Sequence, residues 1–235
     1  MRPVVKVKDL VQKAGRKTLL NGLSFEVYEG ECFGLFGAGG AGKTALLHIL
    51  AGVDRFRSGS VEVLGLDIRK GDAFKRHLGL VTQARSLFQD LKAGENLEFI
   101  AALKSAAREN IPPLVERLGL KDCLNEPAAA LDEGTYRRLS LACALLNSPK
   151  LLIADEPVKD VDPLSRRIIL RELESFSAGG GTCIWSFSSM ELCGRMSRVG
   201  WLENGQITLY RPAEAKALWA DRVKALDGQD GENND

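Results

Sequence analysis

Apolar and polar positions alternate over residues 4–8 and 23–28, with Val and Phe set against polar neighbours ahead of a turn at Glu29-Gly30-Glu31. This period of two predicts two strands forming an antiparallel flank. The pattern then changes to a short, wholly apolar run, Cys32-Phe33-Gly34-Leu35-Phe36, bounded by turn residues. A strand covered on both faces needs such a run. A glycine cluster follows, and Ala45-Leu46-Leu47-His48-Ile49-Leu50 reads as a helix. After the strand-like His77-Leu78-Gly79-Leu80-Val81-Thr82, residues 84–147 are mainly helical in pattern, with apolar positions recurring through 97–103, 114–118 and 139–146. Leu151-Leu152-Ile153-Ala154 and Thr182-Cys183-Ile184-Trp185-Ser186 return to buried strands around a helix at about 164–176, and 212–226 reads as a terminal helix.

Strands alternating with helices predict an α/β fold with a mainly parallel core sheet. The N-terminal antiparallel β flank and an inserted α-helical subdomain at about 84–147 complete it. The expected organisation is one domain over residues 1–225, followed by a disordered acidic tail over 226–235 that carries Asp227, Asp230, Glu232 and Asp235. No internal repeat is evident. At 235 residues the chain suits one sizeable core, with little room for a second catalytic domain.

Composition narrows the function classes. Hydrophobic residues make up 45%, and no stretch approaches the roughly 20 apolar residues a spanning helix requires. Any membrane link is therefore expected to run through partner chains. The N-terminus enters strand-like sequence without an apolar leader, which points to the cytoplasm. Five scattered cysteines without a Cys-x-x-Cys pair indicate neither a disulfide framework nor a zinc site. A formal charge of +1 gives no bulk electrostatic footprint for nucleic acid, and none is expected as a partner.

The strongest chemical signal is Gly37-Ala38-Gly39-Gly40-Ala41-Gly42-Lys43-Thr44. It satisfies G-x-x-x-x-G-K-[ST] at every specified position, between a predicted strand and a predicted helix. Glycines there let backbone N–H groups converge on phosphate oxygens, and the helix N-terminus adds its positive end. Lys43 should reach the β and γ phosphates, and the Thr44 hydroxyl should bind Mg²⁺. The bland alternative is a glycine-rich turn with a chance Lys-Thr. A second signal is Ala154-Asp155-Glu156-Pro157, closing an apolar strand. Both acids should emerge at the carboxyl edge of the sheet, with Asp155 holding Mg²⁺ through water and Glu156 polarising the attacking water. Strand-end acids capping the next helix remain the alternative.

In their order these motifs resemble the nucleotide-binding domain of ABC transporters, over about residues 4–215, and are similar to the ATPases of export-type permeases. The resemblance implies that Gln83 occupies the glutamine-loop position, next to Thr82, where it contacts Mg²⁺ and relays movement to membrane subunits; a surface glutamine is the alternative. Glu95-Asn96-Leu97 fits the helix that follows, Val161-Asp162-Pro163 resembles the D-loop, and Arg137 to Ala142 resembles the helix opening after the signature motif. The implied cofactors are ATP and Mg²⁺. The implied partners are membrane permease subunits and a second ATP-binding domain, with the chain peripheral on the inner face of the cell membrane.

Departures from the family pattern shape the expectation as much as the matches. The signature position reads Leu131-Asp132-Glu133-Gly134-Thr135. In the family that loop faces the γ-phosphate held by the other chain, so Asp132 and Glu133 should weaken the composite site. Loss of a charge-assisted hydrogen bond costs about 1.5–3 kcal/mol, and repulsion adds to it unless a cation intervenes. Ser188 stands at the switch-histidine position and cannot carry positive charge; removing one such donor costs about 10²–10³ in rate. The two histidines, His48 and His77, lie upstream of Gln83. Ala14 stands where an aromatic residue normally stacks on adenine, a contact worth about 1–3 kcal/mol, with Phe25 or Tyr28 as substitutes. The expectation is an ATP-binding subunit with slow or asymmetric hydrolysis, favouring a heterodimer over a homodimer. The alternatives are a hydrolysis-deficient regulatory or assembly subunit, and a soluble ABC-type ATPase acting on ribosomes or DNA.

Overall fold

The computed structural model describes residues 2–231, with side chains described through residue 225. An N-terminal hairpin pairs β1 (Pro3–Ala14) with β2 (Lys17–Tyr28). These strands are longer than the alternating segments 4–8 and 23–28, because bulges interrupt the period of two. Asp9 takes a positive φ of 50°, and the pairing with β2 slips between Val7 and Leu10. An extra residue of this kind shifts which side chains face inward, so Val7 and Leu10 are both buried three positions apart. After β3 (Cys32–Phe36) and α1 (Lys43–Leu50), β4 (Ser58–Val63) returns to pair with β1, and the two-residue β5 (Leu66–Asp67) closes a four-stranded antiparallel sheet in the order β2-β1-β4-β5.

The main sheet adds β6 (Leu78–Val81), β7 (Leu151–Ala154), β8 (Thr182–Phe187), β9 (Arg198–Glu203) and β10 (Gln206–Tyr210). Its order is β10-β9-β3-β8-β7-β6, parallel throughout except for the β9–β10 hairpin. Between β6 and β7 lies the expected helical insertion, built from α2 (Ala93–Leu103), α3 (Ile111–Arg117) and α4 (Glu133–Leu145). The chain continues through α5 (Pro163–Ala178) to α6 (Pro212–Gly231). The α6 assignment therefore extends beyond the expected terminal helix and into the segment read as a tail from 226; residues 232–235 of that segment lie outside the described residues.

Each strand of the main sheet serves two cores. Phe33, Leu35, Leu151, Ile153 and Ile184 face one side, where Leu46, Leu47, Ile49 and Leu50 of α1 pack between the two sheets. Phe36, Leu152, Ala154, Cys183, Trp185 and Phe187 face the other, against the helical insertion, α5 and α6. Burial on both faces explains why these strands read as continuous apolar runs. α1 is thus clamped between sheets with its N-terminus at the end of β3, which fixes the loop that joins them.

Leu47 is fully buried in this clamp. Leu47→Ala should lower the unfolding free energy by about 2–5 kcal/mol, measured by urea titration as a lower midpoint at unchanged slope.

Candidate functional site

Three neighbouring strand ends build the site. β8 lies between β3 and β7 in the sheet, so the glycine loop after β3 and the acids after β7 sit on either side of Ser186 near the end of β8. Thr44 Oγ donates to Asp155 Oδ2 at 2.7 Å. Ser186 Oγ donates to Asp155 Oδ1 at 2.5 Å and accepts from the Glu156 N–H at 2.9 Å. Asp155 and Ser186 are essentially inaccessible, at 1% and 0% exposure. A buried carboxylate with both oxygens engaged is held in one orientation.

Glu156 has a backbone φ of 48°, unusual for a residue with a side chain. Such a conformation costs about 1–3 kcal/mol and persists where surroundings over-determine it. The Ser186 contact is one restraint; the other is Lys43, whose Nζ lies 3.2 Å from Glu156 Oε1. Lys43 also donates to the Gly37 and Ala38 carbonyls at 2.6 and 3.2 Å. The ammonium, on a residue only 7% exposed, is thus folded back across its own loop. Ser188 Oγ reaches Glu156 Oε2 at 3.3 Å. The chain therefore brings Lys43, Thr44, Asp155, Glu156 and Ser188 together.

The loop itself is open on its outer side. A Cβ at Gly39 or Gly40 would meet nothing within 4 Å, whereas Gly37 packs tightly against the Leu202 carbonyl and Gly42 needs its positive φ of 106° to turn into α1. Gly39, Gly40 and Ala38 are exposed, and Ala41 is partly so. This geometry fits a polyphosphate lying on the N-terminus of α1. The hydroxyl and carboxylate oxygens of Thr44 and Asp155 are hard donors that fit Mg²⁺.

A cavity of about 540 Å³ runs along residues 37–41 and is lined further by Lys17, Leu19, Ser188, Trp201, Trp219 and Arg222. Ala14 lies exposed at the hairpin tip opposite Lys17 and does not line it. Phe25 is buried in the core, stacked on Phe33 at 5.6 Å, and Tyr28 bonds to Glu26, so neither substitutes for an aromatic at the loop. The aromatic residues lining it are Phe36, Trp201 and Trp219, with the two tryptophans packed on Phe36 at 4.9 and 5.4 Å. Nothing in their local spacing marked them.

Gln83 is exposed, and among the described residues no hydrogen bond joins its side chain to Thr44 or Asp155. The Thr82 hydroxyl is engaged within its own turn, with Ala84 and Ser86. What fixes this segment is Arg137 of α4. Its guanidinium, on a residue 5% exposed, donates to the Thr82 and Gln83 carbonyls and lies 2.7 Å from Glu133 Oε1. Arg85 adds bonds to the Ala128 and Leu131 carbonyls and stacks on Tyr136. The buried Asn96 closes the same turn, accepting from Phe88 N–H and donating to the Phe88, Leu91 and Lys92 carbonyls. The helical insertion is thereby coupled to the end of β6, next to the strand that leads into Asp155.

The same cations alter the reading of the signature position. Glu133 is met by Arg137 and by Arg85 at 3.4 Å, so the charge expected to repel a phosphate is countered within the chain. Asp132 caps α4, accepting from Thr135 N–H at 2.9 Å and from its hydroxyl at 2.6 Å. These bonds, from the Thr135 hydroxyl first, hold the Asp132 carboxyl below its ordinary pKa, with Arg138 contributing in the same direction. Gly134 has its own reason: a Cβ there would strike Asp162 and Ser165 at the start of α5.

Fold and site together define a phosphate-loop nucleotide-binding domain. A family model described as ABC transporter matches residues 20–159, more than half of the chain. The chain belongs to that family, as an ATP-binding domain of the ABC transporter type. It is 34% identical over 200 residues to Nod factor export ATP-binding protein I of Ralstonia nicotianae, covering 83% of this chain and 62% of that protein. It is 32% identical over 213 residues to linearmycin resistance ATP-binding protein LnrL of Bacillus subtilis, covering 87% and 68%. The chain spans between 61% and 65% of the length of the Nod factor export relatives it matches. Its fold is that of a solved ATP-binding subunit of an ABC transporter, with a TM-score of 0.83 at 23% identity over 92% of this chain and 93% of that one. A dimeric ATP-binding cassette bound to ADP and Pi gives a TM-score of 0.82 at 23% identity, covering 88% and 98%.

Asp132→Ala should lower stability at pH 7 by about 0.5–2 kcal/mol through loss of the cap. Because the folded-state pKa is depressed, the stabilisation is present above the carboxyl's unfolded pKa of about 3.9 and disappears as pH falls through the folded value. Denaturation of both proteins across pH 2–7 should therefore show curves that converge in acid.

Proposed function

We propose that this chain is the ATP-binding subunit of an export-type ABC transporter, binding Mg·ATP and coupling its slow or asymmetric hydrolysis to movement in partner membrane subunits. The observation that carries the proposal is the joining of Thr44 to Asp155 at 2.7 Å beside the open glycine loop, since this places hard oxygen donors next to a phosphate cradle. Its relatives in Nod factor export and linearmycin resistance favour transport out of the cell as the class of work. Substrate choice would belong to the membrane subunits.

In this reading the backbone N–H groups of residues 38–44 and the α1 N-terminus hold the β and γ phosphates. Lys43 leaves the Gly37 and Ala38 carbonyls for the phosphates, which also frees Glu156. Thr44 and Asp155, with Gln83 brought in from its exposed loop, hold Mg²⁺, which neutralises charge on the phosphates when bound. Released from Lys43, Glu156 orients and polarises the attacking water, while Ser188 donates a hydrogen bond without positive charge. The site is completed by the signature loop of a second ATP-binding domain, and the reciprocal site would use residues 132–135 of this chain. With Asp132 committed to its own helix cap, that reciprocal site favours holding nucleotide over turning it over, which favours a heterodimer. The permease partners would place the chain peripherally on the inner face of the membrane. Phe88 and Phe99, in edge contact at 4.7 Å and both exposed, with the exposed Leu103, offer an apolar surface next to the Gln83 segment for such a partner.

A second reading, a regulatory subunit that binds nucleotide without hydrolysing it, is favoured by the engagement of Glu156 with Lys43 and Ser188. Single-turnover measurement in the complex assembled with its permease separates the two. The transporter reading expects turnover there well above that of the isolated chain, and Glu156→Gln should lower it by about 10²–10⁴ while retaining nucleotide. Equal rates in wild type and variant would remove Glu156 from catalysis and leave the regulatory reading.

A further inference from the structure

Away from the phosphate site, two cysteines face each other across the main sheet. Cys32 opens β3 and Cys183 is its register partner on β8. Paired residues on neighbouring strands point to the same face, and strands lie about 4.8 Å apart, inside the window of about 4.4–6.8 Å between Cα atoms that a disulfide spans. Both are free thiols; Cys183 is buried and Cys32 partly accessible. The Trp185 indole N–H donates to Cys32 Sγ at 3.2 Å, and Cys32 Sγ lies 3.8 Å from Met196 Sδ. Hydrogen bonding from the Cys183 thiol, opposed by burial and joined by Trp185, lowers the Cys32 pKa to about 7. Cys183 is pushed well above its ordinary value and keeps its proton. The remaining thiols go the other way: burial raises Cys123 and Cys193 and pushes Cys143 up to about 12.

We propose that Cys32 and Cys183 form a peroxide-responsive modification site, in which Cys32 is the attacking thiolate and Cys183 the resolving thiol of a reversible intrachain disulfide. The Cys32 thiolate attacks one oxygen of the peroxide and breaks the O–O bond, giving Cys32 sulfenic acid and hydroxide, which takes a solvent proton to become water. Cys183 sulfur then attacks the Cys32 sulfur and displaces hydroxide, which leaves as water with the Cys183 proton. The two thiols lose two electrons in all, and the peroxide is reduced to two waters. β3 runs on into the phosphate loop and β8 into Ser186, so the bond would tie together the two strands that carry those parts of the site.

The test uses the reduced full chain treated with hydrogen peroxide at neutral pH, followed by thiol titration in denaturant and peptide mass mapping. Two of the five thiols should be lost, in one linked pair of peptides containing positions 32 and 183, and dithiothreitol should restore them. Cys32 should react at least about ten times faster than any other cysteine. Cys183→Ser should leave a sulfenic acid at Cys32 that dimedone captures, and Cys32→Ser should keep its thiols under the same treatment. Retention of all five thiols by the wild-type chain, loss first at another cysteine, or a Cys32 bond only between separate chains would each overturn the proposal.

Discussion

The polar bridge linking the exposed Thr44 to the buried Asp155, Ser186 and Glu156 is the constraint on which the site depends. Three neighbouring strands lead into it, and its buried acids would be costly to bury alone. Asp155 accepts from two hydroxyls, and burial of a carboxylate is unfavourable unless such donors surround it. Ser186 resolves this because β8 lies between β3 and β7, so one hydroxyl can donate to Asp155 while accepting from the next residue's N–H. The strand order of the sheet is thereby expressed directly in the chemistry at its carboxyl edge. Lys43 balances the second acid, Glu156, and bonds two loop carbonyls at the same time. That arrangement holds the lysine and the acid against each other, so anything that draws Lys43 away also releases Glu156.

Much of this was legible in the residues. The run at 32–36, the glycine loop and the acids at 155 and 156 are local signals, and local signals survive in a sequence because strand, turn and helix each leave a period. The bulged hairpin strands were read short because a residue in a left-handed conformation at Asp9 breaks the period of two. β4, β9 and β10 gave no reading: β4 and β9 take their identity as strands from pairing with β1 and β3, far along the chain, and β10 from the hairpin it closes on β9. Ser186 was read only as a strand residue, although it sits one strand over from Asp155 and bridges it. Arg137 was read as part of a helix opening, because its partners, the carbonyls of Thr82 and Gln83, are more than fifty residues away. Charge at Asp132 and Glu133 was visible, but the cations that answer it were not.

Those cations change what the degenerate motif means. By its resemblance to the family pattern, the Leu-Asp-Glu-Gly-Thr loop looks like a damaged phosphate contact. In the fold its aspartate caps α4, its glutamate pairs with Arg137 and Arg85, and its glycine lets α4 and α5 meet closely. The loop is thus well made for its own chain, and its side chains are largely committed there. The loop acts as a structural joint between α4 and α5, and in the proposed assembly this commitment is the physical basis for expecting asymmetry between two composite sites.

The central claim is that Lys43 is held by Glu156 and by its own loop until phosphate replaces them. A crystal structure of the chain with Mg²⁺ and a non-hydrolysable ATP analogue tests it most directly. The account predicts Lys43 Nζ withdrawn from the Gly37 and Ala38 carbonyls and bonded to phosphate oxygens, with Thr44 oxygen on the metal and Glu156 no longer paired to Lys43. Nucleotide bound elsewhere, or bound on the loop with Lys43 still on the carbonyls and Glu156, would contradict it.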